Sequence, residues 1–502
     1  MNKALGKYPL WLLFLPAFAI LLAIHIAWLR LPYFWDELQF APAALDLYRD
    51  GWWVSHTVVP NVHPPAVMAL LSLVWHVFGY SIAAARLTML VVASLGVVLS
   101  FLLAGRLSRG MAGAPALAAV LFLVASPIFN TQAMLVLLDM PAMVLTVLAL
   151  LLFLDERYAW CAAACTLLVL TKETAITTPM VFAAWLWFRE KRRRPALGFA
   201  APAIALGIWL LVLHRATGHW LGNDEFARYN LAGTTDPVHM LLTIVERARY
   251  LFWSDGHFIG TIALVLGWRV LRGKAWAVAG LVAVAQAMVV TVLGTPLVRY
   301  LLPVLPIFYA AVATAASVYS VKWRWTSHAA MIGLLIAGWF WNPPYPYAYE
   351  NNLSMVTFTR LQQDAARYLE ANAPGQRIAT AWPLTDELKN PDLGYVQHPL
   401  NTVDAGGLRS SQLAALDRRR FDLLVVYKRI TPAAGTIFEA APLRDVLQHY
   451  YEYYPQATEA EIRADMGFVP LIRWERRGQW IEIYGPTGPS RAFAAATLPV
   501  RP

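Results

Sequence analysis

Apolar residues run in blocks of about 15 to 23 through the first two thirds of the chain, separated by short polar gaps, a pattern that predicts membrane-spanning helices. At roughly 20 residues per span, the predicted helices lie near residues 9–29, 82–104, 112–129, 139–154, 158–171, 175–188, 196–214, 257–271, 275–293, 298–318 and 327–342, eleven in all. The first run lacks a small-residue cleavage site and is expected to remain as a span. A further apolar run, Pro64 to Gly79, is short, opens with His63-Pro64-Pro65 and carries His76. Counting it as a span would move every later loop to the other side of the bilayer. It is therefore expected to lie in the outer interface.

The periodicity changes after Pro343, where charged residues return through an aromatic linker (Pro344, Tyr345, Tyr347, Tyr349) suited to the membrane interface. Leu361, Ala365, Tyr368 and Leu369 mark a helix, and Ile378–Trp382 and Phe421–Tyr427 read as strands. A helix near Leu443–Tyr451 precedes a predicted hairpin of Leu471–Glu475 and Trp480–Tyr484, turning at Arg477-Gly478. The expected fold is a polytopic α-helical membrane domain over residues 1–342, with outer loops 30–81 and 215–256, followed by an extracytoplasmic soluble α/β domain over 343–502. Within the second loop, Asp236 to Trp253 reads as a surface helix with an Asp N-cap and Pro at its first position.

Composition agrees with a membrane protein. The chain has 502 residues, 58% hydrophobic and only 14% charged, against about 25% charged in soluble domains. The excess of 41 Lys+Arg over 31 Asp+Glu would suggest nucleic acid in a soluble protein. Here the basic residues collect at 106–109, 189–194, 269–274 and 322–324, which marks cytoplasmic loops and excludes a nucleic-acid partner. With Lys3 and Lys7 also inside, the N-terminus is expected in the cytoplasm and the C-terminal domain on the extracytoplasmic (periplasmic) side of the cytoplasmic (inner) membrane. The two cysteines, Cys161 and Cys165, lie in one apolar run as small packing residues, not as a disulfide scaffold or zinc site. The P-loop, GxGxxG and HExxH motifs are missing, which argues against an ATP-driven pump, a dinucleotide enzyme or a zincin.

Candidate chemistry gathers on the expected outer side. Asp36 and Glu37, in Phe34-Trp35-Asp36-Glu37, directly follow the first span; paired carboxylates there can act as a general base, bind a divalent cation or cap a helix. Asp139, in Leu138-Asp139-Met140-Pro141, starts a span, where it either caps the helix or belongs to a site. Arg86 opens the second span, Lys172-Glu173 sits between two spans, and Arg299-Tyr300 begins the tenth. Singly, each can be an interfacial side chain or a local ion pair; together they place acids and bases at one bilayer face. His63 either starts an interfacial helix or joins that site.

The ordered set Trp35-Asp36-Glu37, His63-Pro64-Pro65, Ala85-Arg86-Leu87, Leu137-Leu138-Asp139-Met140-Pro141, Leu170-Thr171-Lys172-Glu173 and Val298-Arg299-Tyr300-Leu301-Leu302-Pro303 resembles the GT-C glycosyltransferases. The nearest likeness is to the family of protein O-mannosyltransferases and the lipid A aminoarabinose transferase, and it covers roughly residues 9 to 342. That resemblance implies transfer of a sugar from a polyprenyl-phosphate carrier to an acceptor outside the cytoplasm. It matches Asp36 to the essential first-loop acid and Asp139 to the acid at the start of the fourth span. His63 stands where the aminoarabinose enzymes have Lys, whereas His-Pro-Pro is similar to the mannosyltransferases.

The residues alone support a compatible mechanism. A sugar on a lipid phosphate already has a leaving group, so the protein must deprotonate an acceptor hydroxyl and neutralise the departing phosphate. Asp36 is the expected base with Glu37 in support; Lys172, Arg299 and Arg86 are the expected phosphate ligands, with His63, Glu173 and Tyr300 as further substrate contacts, and Asp139 orients the acceptor or helps hold a cation. No cofactor is required, although Asp36, Glu37 and Asp139 leave a divalent metal open. The expected partners are the lipid-linked donor, membrane lipid, and a lipid, glycan or protein acceptor. A transporter or lipid flippase is the competing class, but it predicts mid-span charges and paired repeats that the sequence does not display.

Overall fold

The computed structural model describes residues 10–225, 228, 236–293, 297–341, 348–428, 437–451 and 453–486. Lys3, Lys7, Pro344, Tyr345 and Tyr347, used above for orientation and the linker, lie outside the described residues. By contact, the chain forms two compact units. One comprises residues up to 30, 39–341 and 350–353; the other comprises 31–38, the chain just before 350, and residues from 354 onward.

The first unit is helical, the form in which an apolar segment satisfies its own backbone hydrogen bonds in lipid. Among the described residues, five of its helices are long and apolar enough to cross a membrane: Trp11–Trp28, Ile82–Leu107, Arg193–Thr217, Lys274–Val292 and Val298–Val318. The other six expected spans are shorter or broken among the described residues, so length and composition support five spans, and the count of eleven does not follow from helix length. Proline interrupts one of these six and one of the five long spans. Pro127 ends the helix Pro115–Ala125 and starts Pro127–Gln132, and Pro303 lies in a 3-10 segment, Val298–Val304, ahead of Leu305–Ala315. The expected 175–188 span divides into a 3-10 turn Glu173–Ile176, an α-helix Thr177–Ala184 and a π-turn Trp185–Arg189. Ala66–Phe78, 13 residues long, would rise only about 20 Å, less than a bilayer core of about 30 Å.

The helix Pro237–Phe252 starts where predicted, with Asp236 Oδ1 accepting from the Val238 amide at 2.8 Å. Its faces are reversed relative to a helix on a water-soluble protein. Thr243, Arg247 and Tyr250 are buried, with Arg247 Nη1 donating to Thr291 Oγ1 at 2.8 Å, while Val238, Leu241, Ile244, Val245 and Phe252 are exposed. An apolar outer face with a polar inner one suits a helix bathed in lipid.

The second unit is built on a five-stranded mixed sheet of order β2-β1-β3-β5-β4, where β1 is Arg377–Thr380, β2 Asn401–Asp404, β3 Leu423–Tyr427, β4 Phe468–Arg476 and β5 Gln479–Pro486. β1 pairs in parallel with β2 and β3, and β5 runs antiparallel to both β3 and β4. All five residues of β3 are buried, as expected for a central strand read as a continuous apolar run. The predicted hairpin forms at Arg477 (φ 49°) and Gly478 (φ 74°), two successive left-handed residues whose twist suits a two-residue connection. Strand β2 is a polar edge (Asn-Thr-Val-Asp) with no periodic signal.

Within this unit Glu387 is fully buried beside Tyr395. Burial pushes its carboxyl well above the usual carboxylate range; the neighbouring Asp386 adds to this, and the Tyr395 hydroxyl opposes it. The folded chain thus holds a proton that the unfolded chain releases above about pH 4.3, so this group's contribution to stability falls as pH rises toward the folded pKa. Glu387→Gln keeps the size and neutrality of the protonated acid. The variant should gain stability relative to wild type as pH is raised, read by thermal unfolding of the full chain between about pH 5 and 8. A constant difference across that range would mean that Glu387 is ionised when folded.

Candidate active site

A buried ion network occupies the first unit. The helix Asp139–Leu154 starts with Asp139, whose side chain does not cap it. Instead Oδ1 receives the Lys172 ammonium, and Oδ2 lies 3.4 Å from Arg299 Nε. Arg299 Nη1 continues to Glu350 Oε1 at 3.2 Å, and the Glu350 carbonyl accepts from Gln132 Nε2 at 3.2 Å. The Tyr300 ring lies under both cations, 3.9 Å from Lys172 Nζ and 5.5 Å from the Arg299 guanidinium carbon, a cation–π arrangement. Asp139, Lys172, Arg299 and Glu350 are each less than 8% exposed. Buried charges persist only when paired, and removing one member of such a pair costs about 3–5 kcal/mol. Both Asp139 oxygens thus face cationic nitrogens, a setting that disfavours a metal ion there.

Two elements bring these groups together. Lys172 is the N-cap residue of the turn Glu173–Ile176, and Arg299 lies in the proline-interrupted 3-10 segment. Arg86, in the second turn of Ile82–Leu107, is fully buried and donates through Nη1 to the Met134 carbonyl at 2.9 Å. His63 and Glu173 form a separate pair, with Nδ1 and Oε2 2.9 Å apart. His63 also lines a cleft with Gln39, Phe40, Trp53, Asn61 and Trp209.

Asp36 and Glu37 belong to the other unit. Glu37 starts the helix Glu37–Asp50, is fully buried, and accepts from the Phe34 amide at 2.8 Å, closing a turn around Trp35 and Asp36. Its carboxylate serves local structure, and Asp36 is the more accessible member of the pair. Trp35 holds φ at 53°, a left-handed conformation that costs a bulky residue about 1–2 kcal/mol.

Nearby, Asp46 could be mistaken for a metal ligand. With Asp50 and His56 it forms a group of three whose ligand atoms lie within 4.8 Å of one another. Its carboxylate is saturated by the Ser55 and Thr57 hydroxyls and the His56 and Thr57 amides. Burial raises its pKa, and these donors together outweigh that and hold it below the usual range. It is a loop staple.

Sequence reasoning missed Glu350 and Gln132. Glu350 lies beyond the last apolar run, in a stretch read as linker, and Gln132 follows Pro127 with no motif around it.

A family model described as a predicted membrane protein matches residues 61–379. No curated protein matches the sequence. Among solved structures, ArnT from Cupriavidus metallidurans bound to undecaprenyl phosphate is similar over 93% of this chain and 97% of its own, with TM-score 0.55 and 14% identity. Its apo form covers 96% and 98% with TM-score 0.53, again at 14% identity. The apo oligosaccharyltransferase of Archaeoglobus fulgidus covers 85% of this chain and 70% of its own, with TM-score 0.50 and 13% identity. Both proteins are GT-C glycosyltransferases, and at these identities the likeness assigns a GT-C-like membrane fold.

Proposed function

The chain belongs to the DUF2079 family of predicted membrane proteins, and we propose that it is a membrane glycosyltransferase moving a sugar from a polyprenyl-phosphate carrier to an acceptor outside the cytoplasm. The observation that carries this reading is the pair of buried basic side chains, Lys172 and Arg299, both paired with Asp139 within an apolar helical unit. Charge held at such cost in a membrane domain points to an anionic substrate group. Ammonium and guanidinium groups both make charge-assisted hydrogen bonds to phosphate oxygens, which is the chemistry a lipid-phosphate donor needs. ArnT, which shares the fold, is bound to undecaprenyl phosphate in its structure.

In the proposed reaction, the acceptor oxygen attacks the anomeric carbon as the bond from that carbon to phosphate oxygen breaks. Asp36 takes the acceptor proton, and polyprenyl phosphate leaves with its charge matched by Lys172 and Arg299, with Arg86 in support. A single displacement inverts the anomeric centre. Tyr300 shapes the cation site, the His63–Glu173 pair contacts substrate, and no metal is assigned a step. The basic loops support a topology with the N-terminus on the cytoplasmic side of the inner membrane and the C-terminal domain outside.

Mass spectrometry of membrane glycolipids and glycoproteins from cells with and without the gene tests this. A sugar modification present only with the protein, and lost with Asp36→Asn, is expected. Identical profiles in both cells, with the protein expressed, would sink the reading.

A further inference from the structure

Residues 31–38, which carry Asp36, fold with the C-terminal α/β domain. Both backbone hydrogen-bonding groups of Tyr33 are taken by that domain: its amide donates to the Leu393 carbonyl at 3.1 Å, and its carbonyl accepts from the Tyr395 hydroxyl at 3.0 Å. The Phe34 ring meets Phe358 edge-on at 6.3 Å, and Trp35 meets Trp382 edge-on at 5.1 Å. Trp382 is itself fixed, because the Tyr427 hydroxyl of β3 donates to its carbonyl at 2.8 Å. Trp35, immediately before Asp36, is in the left-handed conformation, and such strain persists only where the surroundings impose it.

We propose that Tyr395 is a positioning residue for Asp36, its hydroxyl acting with the Leu393 carbonyl and the Trp382 ring to hold the Tyr33–Trp35 turn in the conformation that presents the Asp36 carboxylate. The C-terminal domain is then part of the catalytic apparatus. This rests on Asp36 being the base. Tyr395 acts through the Tyr33 backbone and need not touch substrate. A carboxylate displaced by a fraction of an ångström from its proton-transfer geometry loses rate without losing substrate affinity.

The test uses the purified full chain, assayed by release of undecaprenyl phosphate from undecaprenyl-phosphate-linked mannose, glucose or aminoarabinose, with total membrane lipid as acceptor. Tyr395→Phe removes one hydroxyl from a buried ring and should lower kcat about tenfold, while the donor KM stays within about twofold. In an Asp36→Asn background the same change should add no further loss, because nothing remains to be positioned. Trp382→Phe, which keeps an aromatic ring but shortens its reach to Trp35, should show a smaller loss with the same non-additive pattern, and it serves if Tyr395→Phe does not fold. Wild-type kcat in folded Tyr395→Phe, or losses that multiply in the Asp36→Asn background, would overturn the inference while leaving the base assignment standing. Full activity of Asp36→Asn itself would remove both.

Discussion

Asp36→Asn should lose about 100- to 10,000-fold in transfer rate, the range over which a positioned general base contributes. The amide keeps the size of the side chain but cannot take a proton at working pH. The turn ahead of the helix is closed by Glu37 Oε2 accepting from the Phe34 amide, a contact the substitution leaves in place. Expression, membrane insertion and donor binding should therefore match wild type. Glu37→Gln should be milder in catalysis, because its carboxylate serves the turn. Equal loss in both variants, with both folded, would instead indicate a cation shared between the two acids.

The second large effect is expected at Lys172 and Arg299. A cation that meets a leaving phosphate acts more strongly in the transition state than in the ground state, so its removal lowers turnover more than affinity. Lys172→Met and Arg299→Met should each lose about 30- to 1000-fold in kcat, equivalent to roughly 2–4 kcal/mol of charge stabilisation. Lys322, exposed in an expected cytoplasmic loop, is the control and should show no change on substitution to Met. The ion network adds a distinction between the two sites. Arg299 joins Asp139 to Glu350, whereas Lys172 makes its ion pair with Asp139. Arg299→Met should thus lower thermal stability more than Lys172→Met, and kcat needs to be compared on the folded fraction. Near-normal turnover by both variants would make these cations structural.

Hydropathy and periodicity locate the apolar helices, the β3 strand and the β4–β5 hairpin because each signal is local: a run length, an alternation, or an Arg-Gly turn. What they leave out is set by contacts distant in sequence. The breaks at Pro127 and Pro303 are visible as prolines, but whether each kinks or splits a span depends on neighbouring helices. The edge strand Asn401–Asp404 owes its conformation to pairing with β1, not to its own composition. Glu350 joins the site only because the chain after the last apolar run returns to Arg299. Among the candidate residues, those with strong local context, Asp139, Lys172 and Arg299-Tyr300, do meet in one buried network. The attachment of Trp35-Asp36-Glu37 to the C-terminal domain rests on backbone contacts to Tyr395 and Leu393, more than 350 positions away. No sequence pattern carries that.

The central claim is that the anomeric bond of a lipid-linked sugar is broken and remade by this chain. Purified protein in proteoliposomes containing an undecaprenyl-phosphate-linked sugar and membrane-lipid acceptor provides the direct measurement, with free undecaprenyl phosphate and glycosylated product quantified together by mass spectrometry. Glycosyl transfer predicts the two in equal amounts, the product with inverted anomeric configuration, and neither with Asp36→Asn. Intact donor moved from one leaflet to the other, with no undecaprenyl phosphate released, would identify a flippase and contradict it.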